Sequence, residues 1–321
     1  MTTLHAGRDA SADTLKRKPR LAVLLNLHAG AANHRGAEAL RRQLDAVFKR
    51  LNAEVAYHAG PGQELKAAAE QALAQARAGG IDAIAVGGGD GSIRTVASVV
   101  ADSGVPLGIL PLGTLNHFAK DLGIPHDLEE AAQVVVAGAR RRVDLAEVNG
   151  EMFINNSSVG IYPYIVIDRE RRRAHHKLAK WMAMTAAVFR ALKHFPRRRL
   201  DLSAEGWTRL YRTPCLFVGN NDYGMDLFTL GRRTHLDQAD LSVHVVKQRR
   251  PFGFFWMICR MCFGHATTER DIESFKLKEL EVRSKTSRLP VSLDGEVEIM
   301  HPPLHYRSRP RALLVMVPAS A

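Results

Sequence analysis

Cysteine is scarce in this chain: Cys215, Cys259 and Cys262 are the only three among 321 residues. That is too few for a disulfide scaffold and fits a reducing cytoplasm. Cys259-Arg260-Met261-Cys262 has C-x-x-C spacing, but no second pair completes a zinc site. It sits beside the apolar run Phe254–Ile258 and reads as two buried helix cysteines. Long apolar runs are missing as well. The two longest, around Trp181–Leu192 and Phe252–Phe263, are short and interrupted by Arg190 and Arg260, which excludes a bilayer-spanning helix. The first eighteen residues are polar, mixed in charge and without the apolar stretch of a signal peptide; they predict a disordered leader.

Acidic residues are in deficit. Lys and Arg number 45 against 33 Asp and Glu, a net charge of +12. Part of the excess is clustered: Arg140–Arg142, Arg171–Arg173, Arg197–Arg199, Arg232-Arg233 and Arg249-Arg250. No recognised nucleic-acid motif accompanies the charge, so nucleic acid is not the expected partner. An anionic membrane surface would be attracted equally, and any one cluster by itself reads as a solvated face. Hydrophobic content of 46% and charged content of 24% are those of a globular protein long enough for two domains.

Glycine is concentrated where it carries chemistry. Gly87-Gly88-Gly89-Asp90-Gly91-Ser92 follows the apolar run Ala83–Val86, and Pro111-Leu112-Gly113-Thr114-Leu115-Asn116 follows Leu107–Leu110. Each run reads as a buried parallel strand, and each loop leads into a helical pattern. Strand, glycine loop, helix aims backbone N–H groups at an anion, and two such loops at neighbouring strand ends suggest one phosphate-rich ligand. Asp90 would repel phosphate unless a divalent cation lies between them or the group accepts a proton. The loop is not G-x-x-x-x-G-K-[ST], and it lacks the third glycine of the dinucleotide fingerprint.

From Leu21 to Val143 strands alternate with helices at Ala37–Leu51, Gln63–Arg77 and Leu128–Ala137, which predicts a parallel sheet covered on both faces. Beyond Val143 short runs at 144–148, 152–156, 200–204, 210–218, 241–246, 277–282, 290–293 and 312–317 read as strands of an antiparallel sandwich. Helices at Ala174–Lys193 and Phe252–Phe263 interrupt them. The expected division is an α/β nucleotide-binding domain over 19–145, joined by the returning segment 308–321, and a β-sandwich over 146–307. Arg171–Arg173, Lys177 and Lys180 beside Trp181 and Phe189 could rest that first helix at an anionic interface or leave it packed in the core.

The ordered series of motifs resembles the diacylglycerol kinase catalytic-domain family, whose relatives include bacterial lipid kinases and sphingosine and ceramide kinases. Gly88–Ser92 matches its G-G-D-G-T, and Pro111, Gly113, Thr114, Asn116 and Ala119 match P-x-G-T-x-N-x-x-A. Val143–Leu145, Phe153–Ser157 and Val218–Asn220 match later positions, and Asp294-Gly295-Glu296 matches D-G-E. The resemblance implies transfer of the ATP γ-phosphate to a lipid hydroxyl, with Mg2+, between an α/β domain and a β-sandwich. It implies that Gly87 to Ser92, Gly113, Thr114, Asn116, Asn26 and His58 line the nucleotide cleft. Asp90 would work at the phosphates or magnesium, and Glu296 or, as the alternative, Asp294 would be the base. Taken alone, Asp294-Gly295 is a hairpin turn.

Several positions depart from the family pattern. Leu27 stands in the first-strand N-P-x-x-G, and Arg94-Thr95 replaces Asn-Glu. Leu115 and His117 replace glycine and aspartate, His58 stands for a threonine, and Leu236–Leu241 lacks the Asp-Gly pair of a structural magnesium segment. These motivate a second reading, a non-catalytic nucleotide or lipid sensor on the same fold. NAD kinase shares the first loop but not Pro111–Thr114. The acceptor lipid and the oligomeric state, a homodimer included, are left open.

Overall fold

The computed structural model describes residues 17–27, 36–163, 195, 197–222, 233, 235–248, 250–262 and 270–319. The leader up to residue 16, His28–Gly30 of the first-strand motif and the expected helix Ala174–Lys193 lie outside them. Four strands, β1 (Arg20–Asn26), β2 (Glu54–Gly60), β3 (Ala83–Gly88) and β4 (Leu107–Pro111), pair in parallel in the order β2-β1-β3-β4. β3 and β4 are buried along their whole length, as their unbroken apolar runs require of strands covered on both faces. The covering helices are α1 (Ala37–Arg50), α2 (Leu65–Arg77), α3 (Asp90–Val100) and α5 (Leu128–Ala137), with the short α4 (His117–Asp121) after the second loop. Apolar residues recur three and four apart, as at Leu40, Leu44, Val47 and Phe48 on α1, so each helix buries one stripe. Asp127 caps α5, its carboxylate accepting from the N–H groups of Glu129 and Glu130.

The sheet does not end at β4. β16 (Leu304–Val317) pairs parallel with β4 at Val315 and Leu107, and antiparallel with β5 (Ala139–Val148) and β13 (Glu279–Ser284). Through β13 it continues to β8 (Arg198–Ala204) and β9 (Trp207–Thr213), while β6 (Glu151–Phe153) pairs with β5; ten strands form one mixed sheet. A second, six-stranded sheet runs β12 (Ile272–Leu277), β11 (Leu241–Val246), β10 (Cys215–Asn220), β7 (Asn156–Gly160), β14 (Leu289–Leu293) and β15 (Glu296–Met300), all antiparallel. Leu200, Leu202, Val282, Leu304 and Tyr306 of the first sheet form one core with Val159, Leu216, Val218, Val243 and Val291 of the second. The expected α/β layer and antiparallel sandwich are both present. The expected helix near 252–263 is α6 (Pro251–Cys262). Among the described residues no helix is long and apolar enough to cross a membrane.

Candidate functional site

The two glycine loops leave the carboxyl ends of adjacent strands, where open α/β sheets place ligands. They touch each other. Leu112 and Gly113 both donate backbone N–H bonds of 3.1 Å to Gly88 O, and a Cβ on Gly113 would lie 2.5 Å from Gly89 Cα. Only a glycine at position 113 permits that approach. The chain then turns into α3 at Asp90, so the first N–H groups of an eleven-residue helix open at the loop.

Asp90 joins the loops. Its Oδ2 accepts from His117 N at 3.1 Å and its Oδ1 from Phe118 N at 3.0 Å, which holds the first turn of α4 beside α3. Asn26, at the end of β1, donates through Nδ2 to Ser92 Oγ at 2.8 Å. Ser92 itself is packed onto Gly88, where a Cβ would collide with its side chain. Gly87 is equally confined, against Leu25 and Leu112. Thr114 is exposed at the mouth of the second loop. Asn116 lies beneath that loop in a left-handed conformation (φ 50°) and is 2% exposed. Its amide donates to Gly113 O at 3.0 Å, so it shapes the turn from behind. His58 stands on the edge strand β2, two residues before Gly60, which is level with Asn26; its Nε2 is 4.0 Å from Glu64 Oε2.

The hairpin β14–β15 arrives from the other sheet. Leu293 and Glu296 face each other across a two-residue turn in which Asp294 (φ 49°) and Gly295 (φ 89°) are both left-handed, the type I′ geometry that Asp-Gly favours. The turn is thus both a hairpin turn and part of the cleft, because the Glu296 carboxylate lies directly on Gly91: a Cβ there would overlap it. Asp294 points away from that contact. Its carboxylate accepts from Ile154 N (2.8 Å), Asn155 N (2.7 Å) and Asn156 N (3.0 Å), tying the hairpin to the link between β6 and β7. Burial pushes its carboxyl up to about 6, against the opposing pull of the three N–H donors and Arg94. A folded pKa raised above the unfolded 3.8 means the native state holds more protons between those values, so this group's contribution to stability is full below about pH 4 and lost as the pH rises through 6. Urea unfolding between pH 4 and 7 should show that fall, and Asp294→Asn should remove it.

Arg94, on α3, is the second link between the sheets. It donates to Leu293 O at 3.3 Å and is ion-paired with Glu298, one strand residue beyond Val297. Burial alone would lower its pKa, but Glu298, with Asp294 and Glu296 nearby, raises it above the ordinary value. The departure from Asn-Glu at this position therefore has a structural use: the guanidinium fastens the D-G-E hairpin to the glycine-loop helix.

Arg233 was not singled out by the sequence. Its side chain is 0% exposed; Nε pairs with Asp121 Oδ2 at 2.8 Å, one amino group donates to Ile154 O (2.7 Å) and the other to Asn155 Oδ1 (2.8 Å). It thereby holds α4 against the β6–β7 link. Nothing in the sequence of the pair Arg232-Arg233 separates it from the other arginine clusters.

Among the described residues no group of three or more His, Cys, Asp or Glu is placed to hold a metal. In the segment 236–241, Asp237 Oδ2 lies 3.8 Å from an Arg141 nitrogen, and Ala239 N and Gln238 N donate to Asp144 and Asn221. At the cleft Asp90 is the carboxylate that lies between the two loops. One carboxylate would suit a magnesium ion held mainly by phosphate oxygens and water, and does not fit a protein-caged ion.

Comparison with known proteins agrees with this architecture. Residues 20–148 match the diacylglycerol kinase catalytic domain, and residues 166–317 match the YegS C-terminal NAD kinase beta sandwich-like domain. The chain is 33% identical to "Diacylglycerol kinase" of Bacillus subtilis (strain 168) over 280 residues, which is 83% of this chain and 88% of the relative. It is 27% identical to "Probable lipid kinase YegS-like" of Pseudomonas syringae pv. syringae (strain B728a) over 84% of this chain and 85% of the relative. A solved structure of a diacylglycerol kinase from Bacillus anthracis str. Sterne superposes with a TM-score of 0.64, covering 94% of this chain and 97% of that one at 18% identity, a likeness of fold.

Proposed function

This chain belongs to the diacylglycerol kinase family, and on that premise we propose that it transfers the γ-phosphate of ATP to a hydroxyl group of a lipid presented at a membrane surface. The observation that carries the reading is the seating of Glu296 on Gly91: a carboxylate from one sheet meets the phosphate-type loop of the other. Phosphoryl transfer asks a protein mainly for positioning and charge neutralisation, with a base near the nucleophile. The backbone of Gly87–Ser92 and of Gly113-Thr114 would receive the phosphates, and the N-terminus of α3 favours their charge. Magnesium, held through Asp90, would supply neutralisation of phosphate charge when bound.

Glu296 takes the hydroxyl proton as the acceptor oxygen bonds to the γ-phosphorus. The bond from that phosphorus to the bridging oxygen breaks, and ADP leaves with the electron pair. Asp294, with its carboxylate engaged by three N–H groups, positions the hairpin. Asp90 keeps the loops in register and leaves each carboxylate oxygen a further lone pair for a cation.

Radiolabelled ATP offered with vesicles containing diacylglycerols, sphingoid bases or isoprenoid alcohols should label one lipid class. Absence of labelled lipid from all three would sink the reading. Arg94→Ala is expected to lower kcat about tenfold to a hundredfold with nucleotide affinity little changed, because the hairpin loses its tether and not the cradle. Arg94→Lys should recover part of the rate. Steady-state kinetics beside nucleotide titration checks both.

A further inference from the structure

The fold gathers at one end of the molecule features that lie far apart in the sequence. α6 buries Met257, which packs with Val246, Ile272 and Phe254. Its opposite face is bare: Phe252 is 78% exposed, Phe255 46% and Trp256 58%. These three recur at helical spacing and form one aromatic stripe. No acidic residue occurs anywhere in the helix.

Around this stripe basic residues from separate parts of the chain converge. The Phe195 ring lies 5.4 Å from that of Phe254, which brings the chain entering β8, with exposed Arg197 and Arg199, to the helix. Exposed Arg212 faces Arg199 across the β8–β9 pair. Thr213 then donates to Val246 O at 2.7 Å, which places the end of β9 beside the end of β11. Exposed Lys247 and Arg250 lead into α6, and exposed Arg270 precedes Asp271, whose carbonyl accepts from Lys247 N at 2.8 Å. Among the described residues the acidic groups Asp271 and Glu273 at this end are engaged. Asp271 is 5% exposed and pairs with Arg260 at 3.5 Å; Glu273 pairs with Lys247 at 3.4 Å and with Arg209 at 2.8 Å.

The geometry points to this face, the Phe252–Trp256 stripe within its arginine rim, as the surface that docks on an anionic lipid bilayer. Phenylalanine and tryptophan sink into the interfacial layer while arginines meet the phosphate headgroups around them. The inference rests on the reading that the acceptor is a lipid, and it names the side from which that lipid comes. β7 and β10 run from this end to the catalytic end: Cys215 pairs with Gly160 near α6, and Gly219 with Asn156 beside Asp294. Five strand residues span about 13–17 Å, so the acceptor hydroxyl would be lifted roughly that far from the contact layer.

The test is sedimentation of the full chain with vesicles of phosphatidylcholine alone or mixed with phosphatidylglycerol, at low and physiological salt. Wild type should pellet with the mixed vesicles only. The Phe252→Ser, Trp256→Ser double variant should partition about tenfold or more weaker with unchanged melting temperature. An Arg197→Gln, Arg199→Gln, Arg250→Gln variant should bind weaker and with a flatter salt dependence. A double variant that pellets like wild type overturns the proposal. So does a wild-type dimer that the double variant turns into a monomer while vesicle binding is untouched, which gives the face to a second copy. Phosphorylation of a short-chain, water-dispersed acceptor should survive in the double variant. If wild type labels no acceptor yet the vesicle result holds, the kinase reading falls and the docking surface stands.

Discussion

Glu296→Gln is expected to reduce kcat for lipid phosphorylation by about 10²–10⁴-fold, with melting temperature and nucleotide affinity close to wild type. Glu296 is exposed at the far side of a two-residue turn, where exchanging a carboxylate for an amide of the same shape disturbs little packing. What the exchange removes is the carboxylate beside Gly91, the proton acceptor of the proposed mechanism. Asp294→Ala should behave differently. It leaves the N–H groups of Ile154, Asn155 and Asn156 without their acceptor, at a cost of about 1–3 kcal/mol or more, so stability and rate should fall together. Thermal melts and single-turnover kinetics on the two variants separate the roles. A near-normal rate for Glu296→Gln, beside a dead but stable Asp294→Asn, would transfer the base to Asp294.

The largest loss of stability should come from Arg233→Leu, about 3–5 kcal/mol. Asp121 is 3% exposed, and the substitution leaves its carboxylate buried opposite an apolar side chain. The carbonyl of Ile154 and the amide oxygen of Asn155 lose donors at the same time. Arg233→Lys keeps a charge but not the planar fork that reaches Asp121, Ile154, Asn155 and Asn220, so it should fall between the two. Because α4 carries both Asp121 and the N–H groups that Asp90 holds, nucleotide affinity should weaken in parallel. Denaturant unfolding with and without nucleotide measures both; a stable Arg233→Leu protein would mean that the pair contributes little.

Much of the cleft was legible in advance because its chemistry is local. Four glycines around Asp90, after a run with no polar residue, announce a buried strand that ends in a tight loop at a helix N-terminus. Asp-Gly after the apolar run Pro290–Leu293 announces a hairpin turn. The sandwich was legible as strands but not as sheets. The runs 152–156, 210–218 and 277–282 each read as one strand, and each is divided. The first breaks at Ile154-Asn155, whose N–H groups turn to Asp294; the second at Pro214, whose carbonyl accepts from Ile161; the third at Lys278, whose carbonyl accepts from Ser308. In every case the chain passes from the ten-stranded sheet to the six-stranded one or back. A period-two pattern reports that alternate residues are buried, and it reads the same whichever sheet buries them. The strand Glu296–Met300 went unread, since Glu296, Glu298 and exposed Ile299 blur the alternation.

The sequence by itself determined the loops, the parallel layer, the hairpin turn and the family, because each depends on residues within a few positions of one another. Only the tertiary structure decided which carboxylate meets the loop and which is consumed in holding it, that Arg233 is buried, and that Arg197, Arg199, Arg212 and Arg250 share one end with the aromatic face of α6. Charge and burial are set by neighbours from distant parts of the chain, and an arginine beside an arginine has the same letters whether it faces water or Asp121.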